Sequence, residues 1–157
     1  MSLEIERKFL LASDAWKPLV VKSLRITDGI LMSADGRKLR VRLIDGRASL
    51  TFKGRREGLT REEVELPLDV EQALLLLDHH CDGPALIKTR HLVPWADLVW
   101  EVDIYCSPLQ GVKLAEVELS AADYPVTLPD WIGAEVTGDP DWRKVNMVAA
   151  SLGTVRP

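Results

Sequence analysis

Leu3-Glu4-Ile5-Glu6-Arg7-Lys8-Phe9-Leu10 is the stretch on which the reading of the chain turns. Side chains of an extended segment alternate between two faces, so Glu4, Glu6 and Lys8 share one face while Ile5, Arg7 and Phe9 share the other. Successive same-face residues lie about 7 Å apart, two rises of roughly 3.3 Å. Two carboxylates that close repel unless a cation sits between them, and hard divalent cations prefer such oxygen ligands. Alone, the pattern reads more simply as an amphipathic edge strand with one solvated face. The other strands decide between the two.

At 157 residues the chain reads as one domain, residues 1–157, large enough to bury a core. Charged residues make up 28% and hydrophobic ones 46%, a soluble balance that excludes a disordered or membrane-embedded class. The aliphatic run at residues 73–77 is too short to span a bilayer, and the N-terminus opens on charges where a secretory signal needs an apolar stretch. The expected location is therefore cytoplasmic, with no membrane partner. Cys81 and Cys106 are too few for a disulfide framework and lack zinc spacing. A net charge of −4 argues against a general nucleic-acid binder.

In chain order, Ser13-Asp14-Ala15-Trp16 reads as the cap of a short helix that Pro18 limits. Residues 23–33 read as a second strand ending at Ala34-Asp35-Gly36. Asp45-Gly46 joins residues 38–44 to residues 48–55 as a hairpin, and Gly58 breaks the chain before residues 61–66. Residues 69–81 form the one long helix, with Asp69 as its cap and Asp82-Gly83-Pro84 as its stop. His79 and His80, adjacent at its end, point in different directions and make a poor metal site. Residues 85–93, 98–105 and 112–119 complete eight strands. Residues 129–133 read as one helical turn, and residues 142–152 as a final helix.

The charges on these strands are sorted by sign. Glu4 and Glu6, Glu63 and Glu65, Glu101 and Asp103, and Glu116 and Glu118 are acidic pairs on shared faces. Lys38, Arg40 and Arg42, then Lys53 with Arg55, then Lys88 and Arg90 are basic. A sandwich with its charges in water mixes signs to avoid like-charge neighbours. Sorted like charges repel in the empty protein, a cost tolerated where a ligand removes it. If the charged face is the inside of an eight-stranded antiparallel barrel, the lumen holds one small ligand. Carboxylates there bind Mg²⁺ or Mn²⁺, and Arg and Lys bind phosphate oxygens. A metal-bound polyphosphate needs both. The outward apolar faces, with Ile5, Phe9, Val41, Val64, Ile87, Val102, Ile104, Val117 and Leu119, then require cover from helices or from a homodimer partner.

Glu4-x-Glu6-x-Lys8, Arg40-Val41-Arg42, Leu50-Thr51-Phe52-Lys53, Arg61-Glu62-Glu63-Val64-Glu65, Ile87-Lys88-Thr89-Arg90, Trp100-Glu101-Val102-Asp103 and Ala115-Glu116-Val117-Glu118-Leu119 together resemble the CYTH family, also called triphosphate tunnel metalloenzymes. The ordered match runs from Glu4 to about Asn146. The resemblance implies an α+β chain built on a closed eight-stranded antiparallel tunnel with a charged lumen, flanked by a few helices. It implies a divalent-metal-dependent triphosphatase, with inorganic tripolyphosphate the leading substrate. By the same resemblance Glu4, Glu6 and Glu118 hold the first metal, with Glu116, Glu63 and Glu65 near it or a second one. Arg40, Arg42, Lys53, Lys88 and Arg90 grip the phosphate chain, and Lys8 positions the carboxylates or the attacking water; Lys8, Glu4 and Glu6 are thus the expected catalytic group.

Many bacterial relatives carry Gln-Gly-Tyr-Leu on the second strand where this chain has Asp28-Gly29-Ile30-Leu31. Any role of that glutamine or tyrosine is absent, and substrate preference is less firmly carried over. Trp16, Trp95, Trp100, Trp131 and Trp142 read as packing residues rather than stacking platforms. Glu101 and Asp103 belong either to the metal site or to a salt-bridged wall; Arg61 either pairs with a glutamate or meets phosphate; Arg55 reads as a tunnel-mouth residue. A class IV-type adenylyl cyclase, a thiamine triphosphatase and a non-catalytic polyphosphate- or nucleotide-binding module remain the alternatives.

Overall fold

The computed structural model describes residues 2–153. Strand β1 (Ser2–Leu11) leads through a 3₁₀ turn at Lys17–Leu19 into β2 (Lys22–Ala34). Asp35 and Gly36 then take φ values of 55° and 76°, and Asp45 and Gly46 of 47° and 71°. Two consecutive left-handed residues are what a tight hairpin with right-handed strand twist requires. Hence β3 (Arg37–Ile44) folds back on β2, and β4 (Arg47–Glu57) on β3. Gly58, at φ 61°, turns the chain again into β5 (Thr60–Leu68). Helix α1 (Val70–His79) precedes β6 (Leu86–Trp95), β7 (Leu98–Tyr105) and β8 (Lys113–Glu118). Asp69 stands at the cap of α1 in extended conformation without a side-chain capping bond.

The strands are ordered β5-β4-β3-β2-β6-β7-β8-β1, and β1 pairs again with β5, closing eight antiparallel strands into a barrel. The pairing with β5 uses only Ser2 to Ile5. Beyond that point β1 would leave its backbone groups unpaired on that edge. Strand β9 (Ile132–Glu135) takes them up, pairing with Phe9 and Leu11. The helical turn expected at residues 129–133 is thus replaced in part by a strand, because a long-range partner outcompetes the local preference.

Apolar side chains cover the outside of the barrel on one half. Phe9, Val102, Val117 and Leu119 pack with Trp16, Trp100 and Trp131 beneath residues 12–20 and 119–132. Phe9 and Trp100 meet edge to face at 5.4 Å, Trp100 and Trp131 at 5.8 Å. Helix α1 lies over β2, β3 and β4. A side chain at Gly29 would come within 2.4 Å of Cys81 Sγ and 2.8 Å of Leu77, so only glycine lets the helix end rest on β2. Helix α2 (Lys144–Ser151) packs Met147 and Val148 against Leu86, Tyr105, Leu109, Leu114 and Val136. On β4 and β5 the helices leave Phe52, Val64 and Leu66 41%, 38% and 55% exposed. Helix α1 touches β4 but leaves these three side chains open. Among the described residues, no helix is long and apolar enough to cross a membrane.

Candidate active site

Closure of the barrel has an electrostatic consequence that strand order in the chain conceals. Around the wall, β7, β8, β1 and β5 are neighbours, and these carry the acidic pairs. Of the remaining four, β4, β3 and β6 carry the basic clusters, and β2, between β3 and β6, contributes Asp28. The lumen is therefore divided into an acidic half and a basic half. It encloses a cavity of about 650 Å³ whose wall includes Glu4, Glu6, Lys8, Lys38, Arg40, Arg42, Lys53, Arg61, Glu63, Glu65, Arg90, Glu101, Glu116 and Glu118.

On the acidic half, Glu6 lies opposite Glu118 and Lys8 opposite Glu116 in the β1–β8 register. Burial raises the Glu6 carboxyl, and repulsion from Glu116 and Glu4 adds to the rise. Glu118 is raised for the same reasons, burial first and then Glu4 and Glu63. Glu4 and Glu116 respond differently. Burial opposes their ionisation, yet Lys53 and Arg61 hold Glu4 below the usual range, and Lys144, Lys8, Lys88 and Arg90 hold Glu116 well below it. The contacts behind this are Lys53 to Glu4 at 2.5 Å and to Glu63 at 3.0 Å, Arg61 to Glu4 at 3.5 Å, and Lys8 and Lys144 to Glu116 at 3.5 and 3.6 Å.

On the basic half, Asp28 clamps Arg42 with two bonds, 2.6 and 2.8 Å, and the fork outweighs burial in keeping Asp28 ionised. Arg90 grips Asp103 with two bonds of 2.8 Å and also contacts Glu101 and Glu116. Lys88 lies fully buried behind the cavity wall, bonded to Asp103 at 2.6 Å. Burial pushes its ammonium down to about 7 against the pull of Asp103. Arg40 is buried, donates to Thr51 at 3.3 Å, and leaves its Nε without a partner. Lys38 is pushed well below the ordinary lysine range, by burial first and then by Lys144, Lys53, Arg61 and Arg40.

The CYTH domain model matches residues 2–140. The chain belongs to the CYTH domain family. It is 35% identical over 148 residues to the inorganic triphosphatase of Acetivibrio thermocellus, covering 94% of each chain. The crystal structure of the inorganic triphosphatase NE1496 superposes with a TM-score of 0.66 at 28% identity, covering 94% of this chain and 95% of that one. A putative adenylyl cyclase, HpAC1 from Hippeastrum, shares the fold at a TM-score of 0.56 and 18% identity, covering 77% of this chain and 80% of that one.

Within this CYTH chain the expected site residues converge on one cavity, with Lys88 the exception set behind its wall. Asp103 is paired there with Lys88 and Arg90, whereas Glu101 reaches the lumen. Strict alternation placed Arg55 beside Lys53, but a register shift between Lys53 and Arg56 changes the parity. Arg55 is exposed at the mouth with Asp35, and Arg56 points to Glu6 at 3.7 Å. Lys144 also escaped sequence reasoning: it enters from the first turn of α2, and its only sequence signal is the basic pair Arg143-Lys144 at a helix start. Trp142 lines the cavity as well as packing against the core, while Trp16, Trp100 and Trp131 are wholly buried packing residues.

Among the described residues no three acidic or histidine side chains are already gathered at metal-holding distance. Their chemistry nonetheless fits a hard cation. Glu6 and Glu118 are opposed carboxylates whose ionisation is disfavoured by each other's neighbours, and Glu4 Oε2 and Glu116 Oε1 are buried without a hydrogen-bond donor.

Proposed function

We propose that this CYTH protein is a divalent-metal-dependent triphosphatase that releases orthophosphate from triphosphates, inorganic tripolyphosphate foremost. The observation that carries this reading is the division of one cavity wall into a carboxylate half and a guanidinium and ammonium half. A cation bound to a polyphosphate presents that same division of charge. Identity to a known inorganic triphosphatase across almost the whole of both chains supports the substrate class.

In this reading Glu4, Glu6 and Glu118 hold Mg²⁺ or Mn²⁺, with Glu116, Glu63 and Glu65 beside them. The cation supplies Lewis acidity toward the phosphate oxygens. Arg40, Arg42, Lys53 and Arg90 take the phosphate oxygens, and Lys88 acts through Asp103 by fixing Arg90. Phosphoryl transfer to water asks the protein for positioning and charge neutralisation rather than a covalent intermediate. Asp28 serves the same end by holding Arg42 through Nε and Nη2. Lys8, against Glu116, keeps that carboxylate ionised and oriented toward the lumen.

The test is to incubate the protein with tripolyphosphate or ATP and Mg²⁺ or Mn²⁺, and to measure orthophosphate and cyclic AMP. Orthophosphate from tripolyphosphate, abolished by Glu4→Gln and Glu118→Gln, is the expected result. Cyclic AMP as the main product, or hydrolysis indifferent to both substitutions, would sink the reading.

A further inference from the structure

The cavity's cations differ in whether the protein itself has already answered their charge. Arg42 has Asp28, Arg90 has Asp103, Lys53 has Glu4 and Glu63, and Lys8 has Glu116. Lys38 has none. Among the described residues no carboxylate comes within ion-pair distance of it, and its strongest charged neighbours are Lys144, Lys53, Arg61 and Arg40. The β3–β4 register puts it directly opposite Lys53, an arrangement of like charges that weakens a strand pair. Its side chain is on the cavity wall rather than in open solvent. One step along the same face, Arg40 Nε is buried with no acceptor.

We infer that Lys38 is a substrate-binding residue, whose ammonium, together with the free edge of Arg40, receives a phosphate group of the polyphosphate chain. The inference rests on the reading of the cavity as a phosphate-chain site. Its logic is that an ammonium walled in among cations is retained only where an anion arrives to balance it. An incoming phosphate gives Lys38 its missing partner, gives Arg40 Nε an acceptor, and relieves the repulsion across β3 and β4. Lys38 lies outside the Arg40-Val41-Arg42 pair on which the family resemblance rests, next to the Asp35-Gly36 hairpin.

The experiment compares the full-length chain with Lys38→Met, Lys38→Gln and Lys38→Arg. Two readouts are taken: steady-state hydrolysis of tripolyphosphate with Mg²⁺, and the rise in melting temperature caused by tripolyphosphate in the presence of EDTA, which reads binding without turnover. The expected result is a KM about tenfold or more higher in the Met and Gln variants, the worth of one charge-assisted hydrogen bond, with kcat nearly unchanged. Their ligand-free melting temperature should equal or exceed that of the unaltered protein, and the tripolyphosphate-induced rise should shrink. Arginine should restore both. A merely structural lysine would instead lower the ligand-free melting temperature and leave the induced rise intact. The inference is overturned if the Met and Gln variants keep the full rise, or if the unaltered protein shows none. Because the melting readout needs no hydrolysis, absent turnover alongside a rise that depends on Lys38 would fault the proposed reaction and leave this binding role standing.

Discussion

Strands β3 and β6 both present basic side chains to the lumen from the same half of the barrel, and they treat them in opposite ways. On β6, Lys88 and Arg90 converge on Asp103 of the adjacent β7, and Lys88 is wholly buried by the arrangement. On β3, Lys38 and Arg40 have no carboxylate, and only Arg42, nearest the β6 side, is clamped by Asp28. A cation paired within the fold helps hold that fold together, even where, as at Arg90, it also lines the cavity. A cation left unanswered costs stability in the empty protein and returns it on binding. The contrast predicts that substitutions on β6 and β7 are felt as instability and those on β3 as lost activity.

The largest effect should come from breaking the satisfied side. Asp103→Ala leaves two buried cations facing each other, and stability read by urea unfolding should fall by about 3–5 kcal/mol. A loss under about 1 kcal/mol would erase the distinction between the two strands. Arg40→Ala should do the reverse: tripolyphosphate hydrolysis should drop on the order of 10²–10³-fold while the unfolding midpoint stays level or rises. Equal damage to stability and activity would mean that Arg40 is as structural as Lys88.

Next in size is the cation's own contribution. Mg²⁺ or Mn²⁺ at about a hundred times its dissociation constant should stabilise the protein by about 2.7 kcal/mol, and Glu118→Gln should diminish that shift. No change in melting temperature at millimolar metal would remove the acidic half from the proposed site. The smallest expected effect is a pH dependence. Burial, Glu116 and Glu4 raise Glu6 above the ordinary glutamate value of 4.5. A raised carboxyl favours the folded state below that value, and the benefit is lost as pH rises through the folded-state pKa. Metal-free Glu6→Gln should therefore melt higher than the unaltered protein at neutral pH, with the gap closing toward about pH 4. A Glu6→Gln variant that melted lower than the unaltered protein at neutral pH would show Glu6 to be stabilised by Arg56 rather than strained by its neighbours.

The alternation in Glu4-Ile5-Glu6-Arg7-Lys8 and the Asp-Gly turns made the hairpins legible in the sequence, because period-two patterning and left-handed turn residues are local properties. The sorting of charge by strand was equally legible, and it pointed to a hollow interior. Contiguity of the acidic strands was not, since it arises only when β1 slots between β8 and β5. The same nonlocality hid β9, whose strand state depends on a vacant edge of β1 rather than on Ile132-Gly133-Ala134-Glu135 itself. Arg56 was concealed by a register shift that no alternation rule anticipates. Lys144 was concealed because a helix outside the barrel delivers it.

The seam at β1 also bears on how the molecule comes into being. Its register unites Glu6 with Glu118, and Glu4 with Arg61, across long spans of intervening polypeptide. Contacts so distant in sequence carry a large loop-closure cost and slow the search for the native state. A chain emerging from the ribosome can assemble the meander β2-β3-β4-β5 early, with Asp28 and Glu63 already answering Arg42 and Lys53, but Glu116 and Glu118 must wait until β8 is made. The proposed metal site is thus completed last.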